Sequence, residues 1–370
     1  MSADTTPTIP DTFCPAKWDE LQVNFGQNYA YSCCKGTPTQ FTENVIEFVE
    51  RERINLLNGV QDPSCDYCWK VEKSGNKSLR HTYLEKFNAA DFDRYTSNPT
   101  PRLVELSVGN ECNLQCVYCN PKFSSKWEHD VSERPYMVFA DRYVYAITPK
   151  NTDVMERNID FLQHVGNISV LNLIGGEPLI NKKFFQLLDV VSTKYLSLSS
   201  NLMVNKQTLD RFINATAKFE RVNLRASLDA TKVISEFVRY GLDYDQFVEN
   251  VQYLQSNAPN VKIQFGSVMT SITVRDLEHF RHVVQDLGVE WNIDVCQTPR
   301  IHSMSTLPDW VRPEILNTIS QLESFDIRGL DVLKSAVENT PFNKTLYKEL
   351  VHFVNEFAQR KKIPVPICLD

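Results

Sequence analysis

The chain has 370 residues, with 39 basic and 46 acidic side chains, a formal net charge of −7, and 42% apolar, 11% aromatic and 23% charged residues. That is ordinary globular composition, its acidic balance argues against nucleic acid as a partner, and no apolar run approaches the roughly 18–20 residues of a membrane helix. The first 20 residues lack the basic start and apolar core of a secretory signal, so a reducing cytoplasm is the expected setting.

In chain order, residues 1–12 read as a loose polar tail. Leu21–Ser32 reads as two short strands around a Gly-containing turn. Residues 42–57 place Val45, Ile46, Phe48, Val49, Ile54, Leu56 and Leu57 on a broad helical stripe that stops before Gly59. Pro63–Cys68 is a turn carrying two thiols, and YTSNPTP at 95–101 is a polar linker. Strands are then expected at Leu103–Val108, Ile168–Ile174, Tyr195–Leu198, Arg221–Ser227, Val261–Met269 and Val289–Val295. Helices fall between them at about 153–165, 182–194, 206–219, 243–257 and 275–287. This alternation predicts an α/β fold of parallel βα units, wound into a barrel or an open partial barrel. Helices at about 308–323, 328–338 and 342–361 form a C-terminal extension. Three domains follow: a small hairpin-plus-helix module over 1–95, the barrel over 101–298 and the helical extension over 299–370.

Of the ten cysteines, eight lie within the first 119 residues, which favours metal or redox chemistry over disulfides in a cytoplasmic chain. GNECNLQCVYCNP spaces Cys112, Cys116 and Cys119 as C-x3-C-x2-C directly after the first barrel strand, where active-site loops are built. Three thiolates on one loop can hold three irons of a [4Fe–4S] cluster and leave the fourth iron open to a ligand. The same residues also allow a zinc site or three buried structural cysteines.

Cys112-Asn-Leu-Gln-Cys116-Val-Tyr-Cys119 resembles the C-x3-C-x-aromatic-C signature of radical S-adenosylmethionine (radical SAM) enzymes, whose fold is a partial (β/α)6 barrel of TIM type. Gly175-Gly176-Glu177-Pro178, at the end of the second barrel strand, is similar to the GGEP element that contacts the SAM amino group in that family. Ser199-Ser200-Asn201 resembles the family's T-N-G position, and Ser227-Leu228-Asp229 its S-x-D segment. Arg239 and Tyr118 resemble an arginine near the bound cofactor and the aromatic beside the adenine. The resemblance thus implies Gly175, Gly176, Glu177, Pro178, Ser199, Asn201, Ser227, Asp229, Arg239 and Tyr118 as cofactor contacts. It also implies reductive cleavage of SAM to a 5′-deoxyadenosyl radical that abstracts hydrogen from a peptide or small-molecule substrate. A reductant such as flavodoxin or ferredoxin would supply the electron. Residues 261–269 carry no clear version of the family's adenine-side pattern.

Cys14, Cys33, Cys34, Cys65 and Cys68 offer four ligands and one spare, for a second [4Fe–4S] cluster or for zinc. Adjacent strand residues point to opposite faces, so only one of Cys33 and Cys34 ligates easily, and Cys33 is favoured. The bracketed hairpin and helix resemble the twitch fold, the short form of the SPASM auxiliary-cluster domain. The likeness extends over Cys14-Pro-Ala-Lys-Trp18, Cys33-Cys34 and Cys65-Asp-Tyr-Cys68-Trp69 with Glu72, Gly75, Ser78 and Arg80. In the best-known members that module follows the barrel, whereas here it precedes it. The insertion over 120–150, with six aromatic residues, reads as a lid or substrate-binding segment. Cys296 reads as a small apolar residue. Two further functions stand beside the radical enzyme: a non-catalytic iron–sulfur electron carrier and a zinc-stabilised interaction protein.

Overall fold

The runs rich in Val, Leu and Ile become strands at nearly the expected positions in the computed structural model, which describes residues 8–41, 44–98, 100–141, 143–147 and 151–366. Cys368 and the first seven residues of the expected tail lie outside the described residues. The strands in chain order are β1 (Glu20–Asn24), β2 (Tyr29–Tyr31), β3 (Thr39–Gln40), β4 (Leu103–Ser107), β5 (Gln115–Cys116) and β6 (Val170–Ile174). They continue as β7 (Tyr195–Ser200), β8 (Arg221–Ala226), β9 (Arg239–Tyr240), β10 (Val261–Met269) and β11 (Glu290–Val295). Most pairings are parallel, with helices on the connections, so the fold is α/β. Among the described residues no helix is long and apolar enough to cross a membrane.

The chain divides into two compact units. The first comprises Met1–Gly109, Pro149–Ile174 and Phe185–Ser197. Here β1 pairs antiparallel with β2 and parallel with β4, in the register Glu20↔Leu103 to Val23↔Leu106, and β4 pairs parallel with β6. The expected hairpin thus joins the parallel strands through β1. The reason lies in β1 itself, whose Leu21 and Val23 are as buried as Val104, Leu106, Leu171 and Leu173 on the strands beside it. A two-stranded hairpin alone buries too little to be stable. The helix Val45–Leu57, capped by the Asn44 side chain, buries Val45, Phe48, Val49, Glu52, Arg53 and Leu56, while Ile54 is exposed. The apolar stripe expected there is corrected in two places: a charged pair takes the buried face, and Ile54 leaves it.

The second unit comprises Asn110–Thr148, Gly175–Phe184 and Leu198–Asp370. In it β8, β10 and β11 pair in parallel, and β5 pairs antiparallel with β9. Helices Lys206–Thr216, Tyr244–Asn257 and Leu277–Leu287 lie on the connections. The C-terminal helices are Arg312–Leu322, Leu330–Asn339 and Lys344–Lys361. The last of these buries Leu346, Leu350, Phe353, Val354 and Phe357 in one cluster with Trp127, Tyr136 and Tyr145. Half of the aromatics expected in a lid over 120–150 are therefore core residues. Phe139 and Tyr143, 72% and 76% exposed, remain on the surface.

Candidate cluster and cofactor site

In the second unit the loop from Asn110 to Pro121 is tied at both ends. Ser124 Oγ donates to the Leu114 carbonyl at 2.8 Å, and the Ser125 hydroxyl accepts from the Cys112 amide at 3.2 Å. Trp127 Nε1 donates to the Cys116 carbonyl at 2.7 Å. Across the loop β5 lies against β9, so Cys116 stands opposite Arg239. These bonds hold Cys112, Cys116 and Cys119, each half-buried, on one compact turn. Burial pushes the Cys112 thiol up to about 12, with Cys116 beside it adding to the shift, and burial likewise raises Cys116 and Cys119. All three are therefore neutral until a metal displaces their protons.

The GGEP turn packs directly on this loop. The Glu177 amide donates to the Glu111 carbonyl at 2.7 Å, and a Cβ at Gly176 would lie 2.2 Å from that same oxygen. Gly175 has φ +125°, which excludes most side chains for a separate reason. Glu177, 1% exposed, accepts from Leu179 N at 3.1 Å, Ser200 Oγ at 2.8 Å and Asn201 N at 2.6 Å. Burial outweighs these bonds and raises its pKa to about 7. Its carboxyl group therefore stitches strand ends together, and the turn's backbone is what remains for a ligand. Pro178 opens the short 3-10 turn Pro178–Ile180.

Asn201 Nδ2 donates to Asn113 Oδ1 at 2.9 Å and stands 4.0 Å from Cys112 Sγ. Ser199 is half-buried, and the alternation of the strand turns it away from Ser200, the serine that bonds Glu177. The Ser227 amide donates to the Ser200 carbonyl. Asp229, fully buried, accepts from Tyr118 Oη at 2.6 Å, from Arg239 Nε and Nη2 at 2.8 Å each, and from the Val268 amide at 2.8 Å. Arg239 also directs Nη1 toward Cys116 Sγ at 3.9 Å and lies over the Tyr118 ring. Burial opposes its charge, and Asp229 more than offsets this, so its pKa is raised. Ser200 lies within the Ser199-Ser200-Asn201 motif but was not picked out from it, and Asn113 was missed in the sequence because nothing in its local pattern marks it.

In the first unit Cys14, Cys33, Cys65 and Cys68, all buried, line one small cavity together with Lys17, Arg80 and Tyr83. Cys34 is exposed and is not among its lining residues. Four stretches of chain bring the thiols together: the segment before helix Ala16–Asp19, the bend that follows β2, the turn Pro63–Cys65 and the helix Asp66–Lys73 directly after it. Arg80 grips Glu72 through Nε at 2.9 Å and Nη2 at 2.7 Å, and its Nη1 donates to the Asp11 and Phe13 carbonyls. Burial pushes the Cys14 thiol up to about 12. A zinc tetrahedron with bonds of about 2.3 Å sets its sulfurs about 3.8 Å apart. Among the described residues the one group of three or more metal-binding side chains with ligand atoms within 4.8 Å is Glu20, Cys33 and Cys34. The cavity offers four thiols as its soft donors, a set that suits zinc or an iron–sulfur group.

The family model described as the radical SAM superfamily matches residues 106–287. A GTP 3′,8-cyclase of Staphylococcus carnosus is 24% identical over 203 residues, covering 45% of this chain and 54% of the relative. The radical SAM cyclopropyl synthase TigE of Paramaledivibacter caminithermalis is 24% identical over 237 residues, covering 62% of this chain and 47% of the relative. The matches thus span about half the length of these curated relatives. Among solved structures, native anSMEcpe with bound AdoMet aligns at TM-score 0.41 and 17% identity, over 65% of this chain and 68% of its own.

Proposed function

Membership of the radical SAM superfamily is supported by that family match and those relatives, and on this premise we propose that the chain is an enzyme using SAM and two [4Fe–4S] clusters on a peptide or small-molecule substrate. Cys112, Cys116 and Cys119 would hold the first cluster, leaving one iron for the SAM amino and carboxylate groups. Bound there, such a group would supply the one-electron chemistry for reductive cleavage of SAM, with the electron drawn from an external reductant. The observation that carries this reading is the packing of the Gly175-Gly176 turn onto the Cys112 loop, with Asn201 and Arg239 reaching two of the three sulfurs.

The chain's own residues do the positioning. The carbonyls of the half-buried glycine turn would accept from an ammonium group, which backbone lacking a Cβ lets approach closely. Asp229 and Glu177 spend their carboxyl oxygens within the chain, so they orient Arg239, Tyr118 and the strand ends around the cofactor. Asn201 and Arg239 direct N–H groups at thiolate sulfur, which stabilises negative charge on the cluster. Ser199 and Ser227 complete the proposed SAM contacts.

In the other module Cys14, Cys33, Cys65 and Cys68 would hold a fully ligated second cluster of the twitch or SPASM kind, suited to electron transfer or substrate positioning. The domains proposed are 1–95, 101–298 as a partial (β/α)6 barrel, and 299–370. The protein would act in the cytoplasm with a flavodoxin- or ferredoxin-type reductant. Anaerobic reconstitution with iron and sulfide counting, followed by reduction in the presence of SAM, tests the reading. It expects 5′-deoxyadenosine from the native chain and none above background from Cys112→Ala. Clusters without deoxyadenosine would identify an electron carrier, and zinc without sulfide would exclude both iron readings.

A further inference from the structure

Lys17 is one of the residues that line the four-thiol cavity. The side chain is 1% exposed, and its Nζ donates to Glu52 Oε2 at 2.8 Å and to Ser64 Oγ at 2.9 Å. Glu52, 4% exposed, also accepts from Ser32 Oγ at 2.6 Å and is not among the residues lining the cavity. Buried ion pairs are a poor source of stability, because desolvation offsets their attraction and apolar replacements are commonly as stable. What this pair supplies is direction, with the cation on the cavity side and the anion behind it. The other two cations on the wall differ. Arg80 is committed to Glu72 and two carbonyls, and Lys35 is exposed to solvent that screens it.

We propose that Lys17, held in place by Glu52, sets the reduction potential of the second cluster, an inference that rests on the auxiliary-cluster reading above. A four-thiolate [4Fe–4S] group gains one negative charge when it takes one electron from the external reductant, one ferric iron becoming ferrous with no bond broken and no proton moved. Net charge, hydrogen bonds to sulfur and solvent exposure tune that step. A desolvated ammonium beside the thiolates stabilises the reduced form and raises the potential. Glu52, one hydrogen bond further away, offsets part of the effect and fixes its size. Lys17 is thus a positioning residue for charge and takes no part in bond making.

The test uses the full chain with Cys112, Cys116 and Cys119 each changed to Ala, so that a single cluster is observed. Iron is counted after anaerobic reconstitution, and the potential is read by electron paramagnetic resonance during a dithionite titration. Glu52→Gln leaves the Lys17 charge uncompensated and is expected to favour reduction about tenfold, 59 mV for a one-electron couple. Lys17→Met with Glu52→Gln removes the oriented pair and is expected to disfavour reduction by about the same factor. A bound cluster whose potential is unmoved in both variants overturns the proposal. So does loss of the cluster from both, which assigns the pair to folding. Failure of the underlying reading is seen separately: Cys65→Ala with Cys68→Ala would then leave the native chain's iron content unchanged.

Discussion

The two thiol sites reach similar ends by opposite routes. In the loop at 112–119 the three thiols lie within eight residues, and side chains of Ser124, Ser125 and Trp127 hold the loop by its backbone. In the N-terminal cage four thiols spread over 55 residues are framed by side-chain charge, with Lys17 on Glu52 and Arg80 on Glu72. A contiguous loop needs only its own turn geometry to bring thiols together. A dispersed cage depends on every element that delivers a thiol, so on the proposed reading folding and metal binding would be coupled more tightly there. The loop should therefore tolerate loss of its metal, and the cage should not.

The largest effects test this directly. Cys65→Ala with Cys68→Ala is expected to remove one cluster's iron and to expose the first unit to protease, while Cys112→Ala abolishes 5′-deoxyadenosine and leaves that unit resistant. Iron counting and limited proteolysis of the two proteins check it, and equal protease resistance would erase the distinction. Next in size is Asp229→Asn. It strands the buried Arg239 without a charge partner and is expected to cost about 3–5 kcal/mol, seen as a lowered midpoint in urea. The loop region would then prove to lean on a buried charge as much as the cage does.

The contrast also explains what could be read from the sequence. Cys112, Cys116, Cys119 and the Gly175-Gly176 pair are local signals, and so were legible. The parallel strands were legible too, because runs of Val, Leu and Ile declare themselves without reference to distant partners. Glu52 and Arg53 were not, since a hydrophobic pattern assigns charged residues to solvent and cannot foresee Lys17 and Trp18 waiting inside. The pairing of β1 with β4 joins residues about eighty positions apart, beyond any local periodicity. Trp127, Tyr136 and Tyr145 looked like a lid because their partner, the helix Lys344–Lys361, comes two hundred residues later.

A pH series separates the regions again. Burial raises Glu177 from 4.5 to about 7, so between those values the folded chain keeps a proton that the unfolded chain has released. Its contribution is fully present below about pH 4.5 and lost as pH rises through 7, about 3 kcal/mol in all. In the cage burial raises Asp62 and Glu72, but their hydrogen bonds win and hold both carboxyls below the usual range. Their contribution is present at neutral pH and lost on acidification. Hydrogen exchange of the metal-free chain, corrected for the chemical rate, should show residues 175–201 loosening toward pH 8 and residues 62–80, already weakened by loss of the metal, loosening further toward pH 4. Parallel behaviour of the two segments would contradict the assignment.

The smallest effect sharpens the comparison most, because it removes a single backbone tether. Trp127 is fully buried and packs against Tyr136, Tyr145, Phe353 and Phe357. Trp127→Phe keeps an aromatic ring in that cluster and deletes the donor to the Cys116 carbonyl. The carbonyl loses one partner, at a cost of about 1–2 kcal/mol including the smaller ring. If the loop is held by many such bonds, the variant binds its first cluster in full and forms deoxyadenosine at close to the native rate, with only the urea midpoint lowered. If iron is lost in proportion to stability, the loop is as dependent on distant packing as the cage. The C-terminal helix that covers Trp127 would then count among the elements that make the cluster site.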